Sequence, residues 1–477
     1  MHVTGKAEQK EIDLITSSSA NVKSNSLFVA VKGFKTDGHK YIQDAINKGA
    51  SAIVLEDNSI LPDEYFVSTG IVKILVADSR KALAEISNSF YGDPSKKIKL
   101  VAVTGTKGKT TTTYYIKNIF DNAGYKSGLI GTNKNIVGDK IYTTKLTTPE
   151  SNVINELMNE MVKEGCEYCV MEVSSHSLDL KRVYGLDFDA AVFTNITSDH
   201  LDYHVNFENY LSAKKILFDE LKKDAAAIVN KDDRNWKELI KNTKANIKGY
   251  AFENDAEIKI KNIEYDLSGT SFEIEYVNKS YSINTKLIGM FNAYNATAAF
   301  GACVKLGIDA NVVIEGIKNT PQVPGRFEVV GNGNKKVIVD YSHTADSLEK
   351  ALHAVHHIVK NERPIYTVFG CGGDRDKTKR PVMGKIANEL SDKVIITSDN
   401  PRTENPLLII EDILKGVNGN KHIVQADREA AIKFAIQNSE DNAVILIAGK
   451  GHEDYQEING VRTHFSDKEV AEKYLNQ

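Results

Sequence analysis

No apolar run in the chain approaches the ~18 residues that a membrane-spanning helix needs, so no span is expected. A leader with the charged, apolar and small-residue order of secretion is also missing, and a cytoplasmic location is the expectation. Cysteine is scarce, four in 477 residues, which suits a reducing compartment. Cys166 and Cys169 have redox-pair spacing, but no second pair completes a zinc site, and both are expected to be packed thiols. An excess of positive charge is absent too: 60 Lys+Arg against 64 Asp+Glu leave a net charge of −4. Such a balance creates no field that draws nucleic acid or an anionic membrane. No periodic repeat or low-complexity tract is visible. Small molecules are the partners to expect.

What is present is a phosphate-binding loop. Val101-Ala-Val-Thr-Gly-Thr-Lys-Gly-Lys-Thr-Thr-Thr-Thr113 runs from an apolar strand through a glycine turn into a helix. Gly105 and Gly108 let backbone N–H groups converge on phosphate oxygens, Lys109 adds a mobile charge, and Thr110 offers a hydroxyl to Mg²⁺. The residue five before Gly108 is Val103, not glycine, so the loop is a short variant, unlike those of GTPases and motor ATPases. ATP binding follows; kinase, ATPase and ATP-driven ligase remain open at this point.

Length alone suggests roughly three domains at about 150 residues each. Strand-like runs at 26–31, 52–55 and 72–76, with helices over 41–48 and 80–90, predict a small α/β domain ending in the turn Gly92-Asp-Pro-Ser-Lys-Lys97. From residue 98, the phosphate-loop strand and strands near 168–173, 190–194 and 226–229 alternate with helical stretches, which predicts a mostly parallel sheet. Alternating strands follow between 258 and 283, then a helix over 292–306, and Pro321-Gln-Val-Pro-Gly-Arg326 marks a second break. Strands at 336–340, 365–369, 393–397 and 444–447 predict a third, Rossmann-like α/β domain. The expected division is 1–97, 98–325 and 326–477.

Three constellations carry chemistry. Asp199, His200, Asp202 and His204 crowd one loop after a strand, and Glu172 ends another beside Ser174, Ser175 and His176; this pattern suggests a Mg²⁺ site, against the plainer reading of a polar loop with capping residues. Helix 207–221 has Leu211, Leu217, Phe218 and Leu221 on one face, and Lys214, unlike Lys215, falls on that face. From the pattern alone Lys214 snorkels to water, although burial would instead lower its pKa and free the amine. Lastly, Gly370-Cys-Gly-Gly-Asp-Arg-Asp376, Asp399-Asn-Pro-Arg402 and Gly449-Lys-Gly-His-Glu453 each follow a strand of the third domain. In a parallel sheet they share one end and offer both charge signs to a ligand with ammonium and carboxylate groups; taken singly, each reads equally as a turn.

With these motifs in order, the chain resembles the ATP-dependent Mur ligases of peptidoglycan synthesis along nearly its whole length. The residues that carry the resemblance are Thr104-Gly-Thr-Lys-Gly-Lys-Thr-Thr111, Met171-Glu-Val-Ser-Ser-His176, Thr194-Asn-Ile-Thr-Ser-Asp-His-Leu-Asp202, Gly289-Met-Phe-Asn-Ala-Tyr-Asn295, Pro324-Gly-Arg-Phe-Glu328 and Asp340-Tyr-Ser-His343. Thr147-Thr-Pro149 and the three C-terminal motifs are similar to those of members that add the third residue of the peptide, and Asp399-Asn-Pro-Arg402 to those that add meso-diaminopimelate. The resemblance implies a phosphorylated D-glutamate γ-carboxylate on UDP-N-acetylmuramoyl-L-alanyl-D-glutamate, attacked by the diaminopimelate amine. It further implies Lys109, Glu172, His200 and Lys214 as catalytic residues. ATP contacts fall to Gly105, Thr106, Lys107, Gly108, Lys109, Thr110, Thr111, Asn295 and Arg326. Mg²⁺ falls to Thr110, Glu172, His200 and Lys214, the last carbamylated by CO₂ to N6-carboxylysine.

By the same resemblance Ser17, Ser19, Phe34, Lys35 and Thr36 match the uridine-diphosphate pocket, and Thr147, Thr148, Ser174 and Arg182 the muramoyl dipeptide. Arg375, Asp399, Asn400, Pro401, Arg402, Gly449 and Glu453 would hold diaminopimelate, Arg402 pairing its distal carboxylate bidentately. Two positions depart from the family pattern: Lys107 stands where asparagine is common, and Ser17-Ser-Ser-Ala20 where Asp-Ser-Arg is common. A monomer without nucleic-acid partners is expected. The alternatives are the same ligation with L-lysine, a folate polyglutamate synthetase, and a nucleotide-binding homologue without catalysis.

Overall fold

A computed structural model describes residues 1–33, 36–331 and 333–476. By contact the chain groups into two compact units, one of Met1–Lys109, Ala123–Lys248 and Lys305–Gly307, the other of Thr110–Asn122, Gly249–Val304 and Ile308–Gln477.

The first unit holds the N-terminal sheet and the phosphate-loop sheet. In the N-terminal sheet the order is His2–Thr4, Val72–Leu75, Ala50–Leu55, Ser26–Val29, Leu14–Thr16, the first strand antiparallel to its neighbour and the rest parallel. Its inner strands are apolar along their length because both faces are covered: Phe28 and Ile53 lie in one core cluster, Leu27, Val29, Ala52 and Val54 in the other. The helix Ser79–Phe90 starts at Asp78, whose carboxylate accepts from the Lys81 N–H. Such a cap satisfies a donor that the helix itself cannot. In the phosphate-loop sheet, Ala226–Asn230, Ala190–Phe193, Lys99–Thr104, Tyr168–Glu172 and Ser127–Ile130 run parallel in that order, followed by antiparallel Asn135–Val137 and Lys140–Tyr142. Lys99–Thr104 is therefore a central strand, with its loop emerging between the ends of two neighbours. Cys166 and Cys169 are buried, packed residues, as expected.

The second unit contains the antiparallel meander Ile258–Asp266, Gly269–Tyr276, Lys279–Thr285, the helices Met290–Lys305 and Ala310–Asn319, and the C-terminal sheet. That sheet runs Glu328–Val330, Lys336–Asp340, Val444–Ala448, Ile365–Phe369, Lys393–Ile396, His422–Val424, with only the first strand antiparallel. Alternate side chains face opposite cores: Val444, Leu446 and Ala448 belong to one cluster, Ile445 and Ile447 to the other. Because these strands are parallel, the loops after 340, 369, 396 and 448 all leave at one edge. Among the described residues no helix is long and apolar enough to cross a membrane.

Candidate active site

Gly105 has a φ of +150°, and a Cβ there would stand 1.9 Å from Thr194 Oγ1; only glycine lets the loop pass so close to the next strand end. That strand end then ties the loop down. Thr106 N–H donates to Asn195 O (2.8 Å) and Lys107 N–H to Asn195 Oδ1 (3.0 Å). Lys107 O accepts from Thr194 Oγ1 (2.6 Å) and Asn195 Nδ2 (3.0 Å). Lys107 therefore contributes backbone to the loop, while its ammonium pairs with Asp199 at 3.4 Å. Lys109 Nζ donates to the carbonyls of Gly105 (2.9 Å) and Thr106 (3.1 Å), which holds its charge over the turn.

Lys214 corrects the snorkelling reading. It is 1 % exposed, its Nζ donates to Gly105 O at 3.0 Å, and it lies 4.7 Å from the centre of the Tyr210 ring. The helix Phe207–Asp219 turns this face into the core, and four carbons of lysine do not reach water from there. Burial, with Lys109 adding repulsion and Asp199 opposing, holds the Lys214 ammonium well below the ordinary lysine range. Tyr210, which sequence reasoning missed, also bonds Thr106 Oγ1 at 2.9 Å. Lys215, off that face, pairs with Asp219 at 2.6 Å.

Glu172 is 1 % exposed, and its two oxygens accept from Thr132 N–H (2.8 Å) and Thr132 Oγ1 (3.0 Å). Thr132 carries no motif that would have flagged it. Thr148 Oγ1 donates to Glu172 O (2.8 Å), Thr147 Oγ1 lies 3.1 Å from Thr132 Oγ1, and Arg182 donates to Thr148 O (3.0 Å) while pairing with Glu150 (2.9 Å). Ser174 caps the short helix Ser175–Asp179. Thr147, Thr148, Ser174 and Arg182 are thus gathered around the end of the Glu172 strand.

Among the described residues no group of three or more His, Cys, Asp or Glu side chains is placed to hold a metal. His204 is buried and bonded to Ser175 Oγ (2.9 Å), whereas His200 has a left-handed backbone (φ +55°) and an exposed ring facing His176 at 4.9 Å. The Asp202 side chain lies outside the described residues. A Mg²⁺ ion needs less: one or two carboxylates or hydroxyls with phosphate and water completing its shell, and the buried oxygens of Glu172 suit that donor set.

In the N-terminal sheet, Ser17 and Ser19 follow the strand Leu14–Thr16, half-buried, and Lys48 donates to Ser19 O (3.0 Å). Thr36 is exposed and bonds Tyr41 Oη (3.2 Å). Phe34 and Lys35 lie outside the described residues.

In the second unit, Arg326 donates to Thr110 Oγ1 (3.2 Å), with its guanidinium 4.6 Å from the Tyr341 ring centre. Asn295, buried in the helix Met290–Lys305, accepts from Thr112 (3.4 Å). The three loops expected at one sheet edge do meet there. Asn400 Nδ2 donates to Glu453 (2.7 Å), and Arg402 Nη1 donates to Gly373 O (2.8 Å). Gly449 takes a φ of +122°, where a Cβ would press Asp399 at 2.5 Å. The reading of three unrelated turns is overturned by these contacts. Arg375 is exposed on the rim.

Sequence reasoning missed the groups underneath. Lys450 is wholly buried, 3.3 Å from Asn400 Oδ1 and 3.4 Å from Glu453. Arg380 pairs with Glu404 (2.9 Å) and Asp412 (3.1 Å), and its hydrogen bond brings the Glu404 carboxyl down to about 2. Arg428 pairs with Asp467 through two 2.7 Å bonds and also donates to Ser398 O (3.2 Å) and Ala448 O (3.1 Å). Burial, followed by Arg326 and Lys450, pushes the His452 imidazole down to about 3, so it is neutral at physiological pH.

Comparison with known proteins adds three family matches: "Mur ligase family, catalytic domain" over residues 11–91, "Mur ligase middle domain" over 103–303 and "Mur ligase, glutamate ligase domain" over 325–451. A UDP-N-acetylmuramoyl-L-alanyl-D-glutamate--2,6-diaminopimelate ligase of Clostridium botulinum is 45% identical over 476 residues, covering 99% of this chain and 97% of its own. One of the same name from Phocaeicola vulgatus is 44% identical over 472 residues, covering 98% and 96%. A solved structure of a ligase of that name superposes with a TM-score of 0.72 at 30% identity, covering 100% of this chain and 97% of the other.

Proposed function

The chain belongs to the Mur ligase family, and from that footing we propose that it uses ATP to join meso-2,6-diaminopimelate to UDP-N-acetylmuramoyl-L-alanyl-D-glutamate. The observation that carries the reading is the meeting of Asp399, Asn400, Arg402, Gly449 and Glu453 at one edge of the C-terminal sheet. Arg402 offers a planar fork to a carboxylate, and Glu453 with Asp399 offers negative charge to an ammonium. Diaminopimelate has both groups at its distal end. Lysine has only the ammonium, which would leave Arg402 unpaired.

The γ-carboxylate of D-glutamate attacks the γ-phosphorus of ATP and ADP leaves; the amine then attacks the acyl carbon, phosphate leaves, and the amine gives up its proton. Lys109 and the N–H groups of the loop from Gly105 through Thr106, Lys107, Gly108 and Thr110 to Thr111 neutralise charge that develops on the transferring group. Asn295 and Arg326 are assigned to the nucleotide. Thr110, Glu172 and His200 would hold Mg²⁺, which supplies further positive charge to the phosphoryl oxygens. Lys214, buried and depressed in pKa, is an amine able to take up CO₂ with loss of a proton, leaving a carbamate anion on the same face as Lys109. Ser17, Ser19 and Thr36, with Phe34 and Lys35, are assigned to the uridine end, and Thr147, Thr148, Ser174 and Arg182 to the dipeptide; Arg375 and Pro401 complete the amino-acid site. The division at 1–97, 98–325 and 326–477, a cytoplasmic location and a monomeric state belong to the same proposal.

The test is ATP-dependent phosphate release with the UDP-dipeptide and Mg²⁺, comparing meso-diaminopimelate with L-lysine. Release with diaminopimelate and not lysine is expected. Release with lysine overturns the arginine argument, and release with neither overturns the ligase.

A further inference from the structure

The strands Tyr455–Ile458 and Val461–His464 form a two-stranded antiparallel hairpin. Asn459 and Gly460 turn it, both at positive φ (+49° and +78°), as a two-residue primed turn requires. Across it, Arg462 pairs with Glu457 (3.0 Å) and lies 4.2 Å from the centre of the Tyr455 ring, so the outer strand braces the inner one.

The inner strand grips the Asp399-Asn-Pro-Arg402 run. Gln456 Nε2 donates to Asp399 O (2.8 Å), and Glu457 N–H to Asn400 Oδ1 (2.9 Å). Arg402 N–H donates to Glu457 O (3.0 Å), and Asn459 N–H to Arg402 O (2.7 Å), which makes a parallel bridge between Arg402 and Ile458. Lys450, between Asn400 and Glu453, donates to Tyr455 O. Arg402 itself stands at a φ of +52°, a left-handed conformation that a side-chain-bearing residue keeps only when its surroundings hold it. The two backbone bonds flanking it supply that hold, and its guanidinium is then aimed back to Gly373 O.

We propose that this hairpin determines amino-acid specificity: it sets Asn400 and Arg402 in place, so that choosing a substrate ending in ammonium plus carboxylate over one ending in ammonium alone depends on the hairpin as much as on Arg402. This rests on the ligase reading above. An arginine free to swing meets a carboxylate with one N–H or none, whereas a fixed fork meets it with two.

The experiment is steady-state kinetics on the full chain carrying Arg402→Ala, the pair Asn459→Ala and Gly460→Ala, Gln456→Ala, and the turn pair combined with Arg402→Ala. Loosening the turn should raise KM for diaminopimelate about tenfold while KM for ATP and for the UDP-dipeptide stay within about twofold. Gln456→Ala, which leaves the turn intact, should give a smaller rise in the same constant. The combined variant should lose little beyond Arg402→Ala alone, since both act on one contact. If Arg402→Ala raises KM for diaminopimelate and neither hairpin variant does, the proposal falls and the ligase reading stands. Equal rises for all three substrates mean general loosening and also overturn it. No turnover of diaminopimelate by the unaltered protein overturns the activity, and the proposal with it.

Discussion

A lysine on the inward face of an amphipathic helix either reaches water or is buried with its pKa lowered, and Lys214 is the second case. Its Nζ shares the Gly105 carbonyl with Lys109, so a second full charge there would be both desolvated and repelled. The linkage sign follows: between the depressed folded value and the ordinary value near 10.5, the unfolded chain binds the extra proton, so the penalty this residue places on folding shrinks as pH rises. Replacing it by alanine should lower ligation by about a hundredfold or more, with partial rescue by added short carboxylates; unchanged turnover would show that it only fills space. Its position on the helix face was legible from spacing. Its burial was not, because snorkelling and burial share one pattern and only the packing of Tyr210 and the phosphate loop decides between them. Glu172 likewise stood out by its motif, while Thr132, which orients both its oxygens, had no local signature.

At the scale of elements, the final helix Asp467–Leu475 reaches the amino-acid site through one side chain. Asp467 meets Arg428 at the start of the helix Arg428–Asn438, and Arg428 binds the carbonyls just before Asp399 and Gly449. Asp467→Asn leaves a buried guanidinium without its charge partner and should destabilise the fold by about 3–5 kcal/mol, read as a lower urea midpoint with unchanged slope. A midpoint within error of the unaltered chain would show that the pair is dispensable. The covered strands were legible because unbroken apolar runs such as Val444–Ala448 suit a sheet buried on both faces. Short edge strands such as Leu14–Thr16 and His422–Val424 were missed, since three residues carry no period. The hairpin at 455–464 was missed although Asn459-Gly460 was there to be read; its flanking residues are mostly polar and show no buried face.

For the whole molecule, nucleotide binding should appear as stability. At an ATP·Mg²⁺ concentration a hundred times Kd, the folded state gains about 2.7 kcal/mol, and calorimetry should show a higher Tm for the unaltered chain and a smaller rise for Lys109→Ala. An equal rise in both would remove Lys109 from the nucleotide site. The order of the covered strands, the three-domain α/β architecture, the phosphate loop and the charge motifs were determined by the sequence by itself, because periodicity, glycine placement and residue chemistry act over a few neighbouring positions. Which carboxylates are buried, which arginines lie beneath the amino-acid site and what holds Arg402 left-handed were decided only in the tertiary structure. Those properties depend on partners far apart in the chain, as Arg428 is from Asp467 and Glu172 from Thr132, and no local pattern records which distant residue will arrive.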